Sequence, residues 1–196
     1  MAQAERTQRY RPEIDGLRAI AVLAVVLFHA GVDYLPGGFV GVDVFFVISG
    51  YLITRNIVQM LADGTFTFRN FYLRRTKRLL PAATVTTLTT LCLGAWFLTP
   101  DAWIDLSESA IASALFVANF WFAQNSGYFD QATELSALVH MWSLAVEEQF
   151  YLLAPPALYV AYRRFGLAGV RWTVGVILAG SFSLSVGLSE GSPNES

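Results

Sequence analysis

This chain is poor in cysteine, in histidine and in charge, and each shortage excludes something. A lone cysteine, Cys92, cannot close an intrachain disulfide or anchor a metal cluster. It sits in an uncharged run and reads as a small core or lipid-facing hydrophobe. The two histidines, His29 and His140, and the scattered carboxylates show no metal-ligand spacing, so no metal site is expected. No internal repeat is visible, which argues against a transporter built from matched halves. The basic N-terminus runs into a full-length apolar stretch with no small-residue cleavage pattern, so no cleavable signal peptide is expected. Charged residues amount to 14%, against 55% hydrophobic and 14% aromatic, and mean hydropathy is +0.47. That is too apolar for an ordinary soluble domain and suits a polytopic membrane protein, for which a lipid bilayer and not nucleic acid is the expected partner.

The apolar stretches set out an all-α, polytopic helical membrane protein of about five transmembrane helices. Expected spans are 14–33, 39–58, 79–98, 138–162 and 172–189. A tight turn, Leu35-Pro36-Gly37-Gly38, joins the first two. Segment 61–78 is broken by Asp63-Gly64, after which Phe66, Phe68, Phe71, Tyr72 and Leu73 alternate with Arg69, Arg74, Arg75, Lys77 and Arg78. It reads as an interfacial amphipathic helix or a strand-like arm.

Charge sets the expected orientation. All thirteen Lys and Arg lie in the first eighteen residues, at Arg55, within 69–78 and within 163–171. With the N-terminus in the cytoplasm every one of them faces inward, as the positive-inside rule requires. Asp33, Asp101, Asp105, Glu108, Asp130, Glu134, Glu190 and Glu195 collect on the opposite face. The uncharged stretch 109–129 is long enough to cross, but crossing would carry Arg163 and Arg164 outside. It is therefore expected to be a re-entrant or interfacial helix on the outer side, its backbone buried in protein.

Within the first span Arg18 and His29 lie eleven residues apart, on one helical stripe and separated by about 16 Å. Ionisable groups inside a membrane helix mark a site by default. His29 and Asp43, on either side of the Pro-Gly-Gly turn, come to a similar depth near the outer face. The fourth span brings His140 to the same end and Glu147 about 10 Å deeper. A histidine paired with a carboxylate is a general base near neutral pH. At the inner surface Arg18 joins Arg74, Arg75 and Arg78, whose planar forks suit a polyphosphate.

Plainer readings compete at each position. His29 can be a helix-end residue bonded to nearby backbone, and Arg18 can reach back to the inner interface or pair with Asp15. The arginine segment can be a topology anchor or an anionic-lipid contact. Asp43 can cap the glycine-rich hairpin. Of Glu147 and Glu148, one is expected only to pack or meet water, because helical neighbours point about 100° apart.

These residues fall in ordered motifs. Arg18 and His29 are followed by Gly-Gly-Phe-Val-Gly-Val-Asp-Val-Phe-Phe-Val-Ile-Ser-Gly-Tyr-Leu-Ile at 37–53. There the chain resembles the acyltransferase-3 family of membrane acyltransferases. Segment 71–81, Phe-Tyr-Leu-Arg-Arg-Thr-Lys-Arg-Leu-Leu-Pro, resembles the family's cytoplasmic Arg-Arg-x-x-Arg motif. Segment 140–151 resembles its Ser-Leu-x-x-Glu-x-x-Phe-Tyr motif, beginning at Ser143.

The resemblance implies transfer of an acyl, usually acetyl, group from cytoplasmic acyl-CoA to a hydroxyl of an extracytoplasmic carbohydrate or glycolipid, in a bacterial inner membrane. Lipopolysaccharide, exopolysaccharide, peptidoglycan and glycosylated small molecules are the acceptor classes it implies. Carried over by motif, His29 is the candidate catalytic histidine and Arg18 its partner along the helix. Arg75 and Arg78, with Arg74 beside them, would meet the CoA phosphates, and Glu147 would be the fourth-span carboxylate. Asp43 completes the candidate set. Family members usually carry more spans than this chain holds. Residues 1–196 are therefore expected to be the N-terminal part of a single, truncated membrane domain, partnered by its missing C-terminal half or by another subunit. A catalytically incomplete fragment or a non-enzymatic partner subunit is the competing expectation.

Overall fold

The computed structural model describes residues 11–31, 34, 36–125 and 136–190. Asp33, Leu35, Asp130, Glu134 and Glu195 lie outside the described residues, as do 126–129 and the side chain of Glu190. Among the described residues there are six α-helices and no strand, the all-α architecture read from hydropathy. The chain divides into two compact units, Met1–Ile53 and Thr54–Ser196.

In the first unit, helix α1 (Pro12–His29) starts with proline at its first position, where a missing N–H costs nothing. Glu13 and Asp15 follow in the first turn, favourably placed for the helix dipole. Arg11 pairs with Glu13 and donates through Nη1 to the Tyr51 hydroxyl at 3.3 Å. The helix closes on Gly31, whose φ of 71° is the left-handed conformation common just past a helix end. A short 3-10 turn, Gly38–Val40, then leads into α2 (Gly41–Ala62).

Two glycines let this return pass close to α1. A Cβ at Gly38 would lie 2.4 Å from the Ala24 carbonyl oxygen, and one at Gly41 would lie 2.5 Å from that of Ala21. At Gly37 a Cβ would meet nothing within 4 Å. The Gly-Gly-Phe-Val-Gly stretch is thus a packing device in which only the second and third glycines are held to their size. Small residues serve membrane helices this way because backbones must approach without help from water.

In the second unit Asp63 and Gly64 turn the chain, and Thr67 caps α3 (Phe68–Phe97) by accepting from the Asn70 amide at 3.4 Å. The arginine-rich segment is therefore not a separate arm: it forms the first turns of the same 30-residue helix as the third span. The physical reason is that Arg, Lys and Leu are all good helix formers, and the helix runs on through Pro81, a residue that membrane helices tolerate. Thr99 caps α4 (Pro100–Ala114), and α5 (Ala118–Asn125) follows a break at which Phe116 has φ 55°. The stretch expected as one re-entrant or interfacial element is thus two short helices, the first beginning earlier, among Asp101, Asp105 and Glu108. Ser109 and Ser113 are buried on α4 and donate to the Leu106 and Ser109 carbonyls, so their hydroxyls are satisfied inside the helix.

Helix α6 (Met141–Glu190) contains the fifth expected span and all of the fourth but its first three residues. The expected 163–171 connector is helical except at Gly166, whose φ of 60° and ψ of −147° are accessible to glycine and strained for other residues. Beyond it Gly169 packs closely: a Cβ there would sit 2.4 Å from the Ala161 carbonyl oxygen. The unit's core gathers Leu106 and Ala110 of α4, Ala118 and Phe122 of α5, and Leu138, Met141 and Ala145 around the start of α6.

Among the described residues, three stretches are long and apolar enough to cross a membrane: Gly38–Ala62, Phe68–Phe97 and Met141–Gly187. Five crossings were expected, and two features account for the difference. The last stretch, at about 70 Å of helix, has length for two crossings of a core about 30 Å thick. Helix α1 is 18 residues long and carries Glu13, Asp15 and Arg18 within that length. The long helices present large apolar side chains outward, with Trp96 83%, Trp172 75% and Phe182 71% exposed. Such surface is at home in lipid and would drive association in water. This is a membrane protein.

The glycine packing predicts unequal sensitivity. Gly38→Ala and Gly41→Ala should each destabilise the chain by about 1–3 kcal/mol through forced separation of backbones. Gly37→Ala should leave the transition unchanged, as judged by thermal unfolding in detergent micelles.

Candidate functional site

The first unit carries Arg18, His29 and Asp43. Arg18 and His29 share one unbroken helix, so their three-turn separation stands as read. His29 is exposed at the last turn of α1, with Nδ1 2.9 Å from the Val25 carbonyl oxygen. With the proton on Nδ1, that nitrogen donates to Val25 and Nε2 presents its lone pair, which is the tautomer a general base requires. The ring also meets Phe28 edge to face at 5.4 Å, and Phe28 in turn meets Phe39 at 5.7 Å. Asp43 is exposed in the first turn of α2, where an acidic residue suits the helix dipole. Neither Arg18 nor Asp43 forms a hydrogen bond or ion pair with His29 among the described residues.

The second unit carries the arginines and the glutamates. Successive helical positions differ by about 100°, so the adjacent Arg74 and Arg75 point in different directions. Arg74 and Arg78 are exposed, and Arg74 Nη2 lies 3.4 Å from the sulfur of Met60. Arg75 turns inward. Its Nε donates to Glu148 Oε1 at 2.7 Å, and its Nη2 lies 2.5 Å from the same oxygen and 3.5 Å from Glu147 Oε1. Its guanidinium carbon sits 3.7 Å above the centre of the Tyr151 ring. The Tyr151 hydroxyl donates to Glu147 Oε1 at 2.6 Å. One turn before Arg75 on α3, Tyr72 donates to the Leu152 carbonyl at 2.9 Å.

Two faces are thereby stitched together: Tyr72 and Arg75 on α3, and Glu148, Tyr151 and Leu152 on α6. Both follow i, i+3 or i+4 spacing, so each set occupies a single helical face. The side chains of Arg75 and Glu148 keep only 18% and 14% of their exposure, so this pair is largely withdrawn from solvent. Glu148 was expected only to pack or meet water if Glu147 was the site residue. Instead one guanidinium fork spans both carboxylates and holds Glu148 the more closely. Tyr72, Tyr151 and Glu148 join this arrangement although none of them stands among the candidate site residues, and their helical spacing is the signal the sequence holds.

A second polar link ties the α4–α5 break to α6. Gln149 Nε2 donates to the Phe116 carbonyl and to Asn119 Oδ1, each at 2.9 Å, while Asn119 Nδ2 donates back to Gln149 Oε1 at 3.3 Å. A side-chain amide thus satisfies the carbonyl freed where Phe116 leaves helical geometry. His140 is exposed in the turn before α6, and Ser143 donates to its carbonyl. A cavity of about 430 Å³ lies between α3 and α4, lined by Leu80, Thr84, Thr87, Trp103, Ser107 and Ile111 among others. Among the described residues no group of three His, Cys, Asp or Glu is arranged to hold a metal ion.

A family model described as an acyltransferase domain matches residues 11–195. The chain is 43% identical over 156 residues to the peptidoglycan O-acetyltransferase OatA of Listeria monocytogenes, a match covering 79% of this chain and 25% of that protein. It is 39% identical over 180 residues to the O-acetyltransferase OatA of Staphylococcus aureus, covering 91% of this chain and 30% of that protein. The chain therefore spans between 25% and 30% of the length of these curated relatives. No solved structure matches.

The amide link predicts an ordered pair of effects. Gln149→Leu should destabilise the chain by about 1–3 kcal/mol, because it strands the Phe116 carbonyl as well as Asn119. Asn119→Ala should cost about 1 kcal/mol or less, because Gln149 still reaches Phe116. Thermal unfolding of the two variants in micelles checks the order.

Proposed function

The chain belongs to the acyltransferase-3 family, and from that membership we propose that it is the membrane part of an O-acyltransferase that moves an acetyl group from acetyl-CoA to a carbohydrate hydroxyl. The observation that carries this reading is His29, whose Nδ1 contact with Val25 leaves Nε2 available as a base. In the proposed step Nε2 takes the proton of the acceptor hydroxyl while its oxygen attacks the thioester carbonyl. The tetrahedral oxyanion then expels the CoA thiolate, which takes up the proton from the imidazolium. An ester forms, a thioester breaks, and His29 returns to its neutral state.

The other candidates take roles suited to their charge. Arg18, on the same helix, supplies a cation about three turns toward the opposite end. Asp43 adds negative charge to the unit in which the imidazolium forms, and Glu147 is the carboxylate of the second unit. Arg74 and Arg78, exposed on α3, meet the donor's phosphates with their forks, with Arg75 beside them in sequence. The Listeria relative is named for peptidoglycan, which makes a cell-wall glycan the first acceptor to try. The charge distribution supports a bacterial inner-membrane location with a cytoplasmic N-terminus, which puts the arginines beside a cytoplasmic donor.

Membrane vesicles bearing the chain, supplied with labelled acetyl-CoA and glycan acceptor, test this reading against vesicles bearing His29→Ala. The expected result is glycan labelling that falls by about 100-fold or more in the variant, with equal membrane insertion. Labelling undiminished in the variant would remove His29 as the base. No labelling from either, with both inserted, would point to a chain that acts only with further segments or as a non-enzymatic subunit.

A further inference from the structure

We infer that Arg75 is a positioning residue for Glu147 and not a ligand of the donor. The inference deepens the proposed function, since it divides the arginine motif between two tasks, and it rests on that reading for the role of Glu147. A guanidinium grips anions through its Nε–Nη edge or its Nη1–Nη2 edge, and in Arg75 both Nε and Nη2 are already on one oxygen of Glu148. The same Nη2 reaches Glu147 at 3.5 Å, and the guanidinium carbon sits 3.7 Å over the Tyr151 ring. Tyr151 closes the loop by donating to the same Glu147 oxygen at 2.6 Å. Arg75, Tyr151 and Glu147 thus form a closed triangle, in which the guanidinium holds the ring by its face and the ring holds the carboxylate by its hydroxyl.

This arrangement has a defined purpose. Two adjacent carboxylates repel one another, and a largely enclosed arginine without an anion would be costly. One guanidinium placed between the carboxylates answers both problems and fixes the direction of Glu147. A phosphate arriving at Arg75 would find Nε and Nη2 held by Glu148 and Glu147, one face of the guanidinium against Tyr151, and the group largely shielded. Arg74 and Arg78 carry the same chemical group, exposed on the same helix, and form no ion pair among the described residues. The motif therefore presents two cations outward and turns one inward.

Arginine-selective labelling of the intact chain in vesicles with phenylglyoxal, read peptide by peptide, tests the division without requiring turnover. Arg74 and Arg78 should react at least tenfold faster than Arg75, and Glu148→Gln should raise Arg75 to their rate. Equal rates in the unaltered chain would overturn the inference, as would protection of Arg75 by added CoA. Failure of CoA to protect Arg78 would count against the donor site alone. Acetyl-transfer kinetics supply the readout for positioning. Arg75→Gln should lower kcat at least tenfold with the donor KM within twofold, and Tyr151→Phe should reproduce part of that loss with the same unchanged KM. Arg78→Gln should instead raise the donor KM. A donor KM that rises as much in Arg75→Gln as in Arg78→Gln would overturn the inference.

Discussion

A guanidinium among apolar helices must find an anion, and the second unit is organised around the way Arg75 finds two. It bridges from α3 to Glu148 on α6, reaches Glu147, and sits over the Tyr151 ring. Tyr72 repeats the link one turn away by donating to the Leu152 carbonyl. Removing Arg75 would leave Glu148 enclosed without its cation, and removing Glu148 would leave Arg75 only the longer contact to Glu147, so either change is costly. The same contacts settle which residues of two sequence motifs face each other, so the architecture of the unit and the chemistry available in it share one cause.

Elsewhere the chain solves its packing with the absence of side chains. Gly38 and Gly41 let the return from α1 approach the Ala24 and Ala21 carbonyls, and Gly169 does the same beside Ala161. Gly166 supplies a backbone conformation that lets α6 change direction without a loop. Where backbone geometry does break, between α4 and α5, the Gln149 amide restores the missing partner. Polar side chains and glycines thus carry the specificity that apolar surface, mostly turned outward, does not provide.

Much of the fold was legible because its signals are local. Long apolar runs announce helices, and the eleven-residue spacing of Arg18 and His29 lies within one of them. The start of α3 was harder to read. Alternating aromatic and basic residues suggest an interfacial arm, yet arginine and lysine continue a helix readily. A single glycine at 166 did not distinguish a kink from a connector. The direction of Arg75 was beyond reach from sequence alone, because three arginines in one motif are chemically identical until a partner helix selects among them. The i, i+3 pair Tyr72 and Arg75 and the matching Glu148, Tyr151 and Leu152 held that signal, though only the fold brings the two sets together.

The central claim is that Arg75 and Glu148 act as one unit joining α3 to α6. A double-mutant cycle on thermal unfolding in micelles, with Arg75→Met, Glu148→Met and the double variant, measures that coupling directly. The account predicts that each single change is costly and that the double variant costs less than their sum by about 1–3 kcal/mol. Effects that add to within about 0.5 kcal/mol would contradict it.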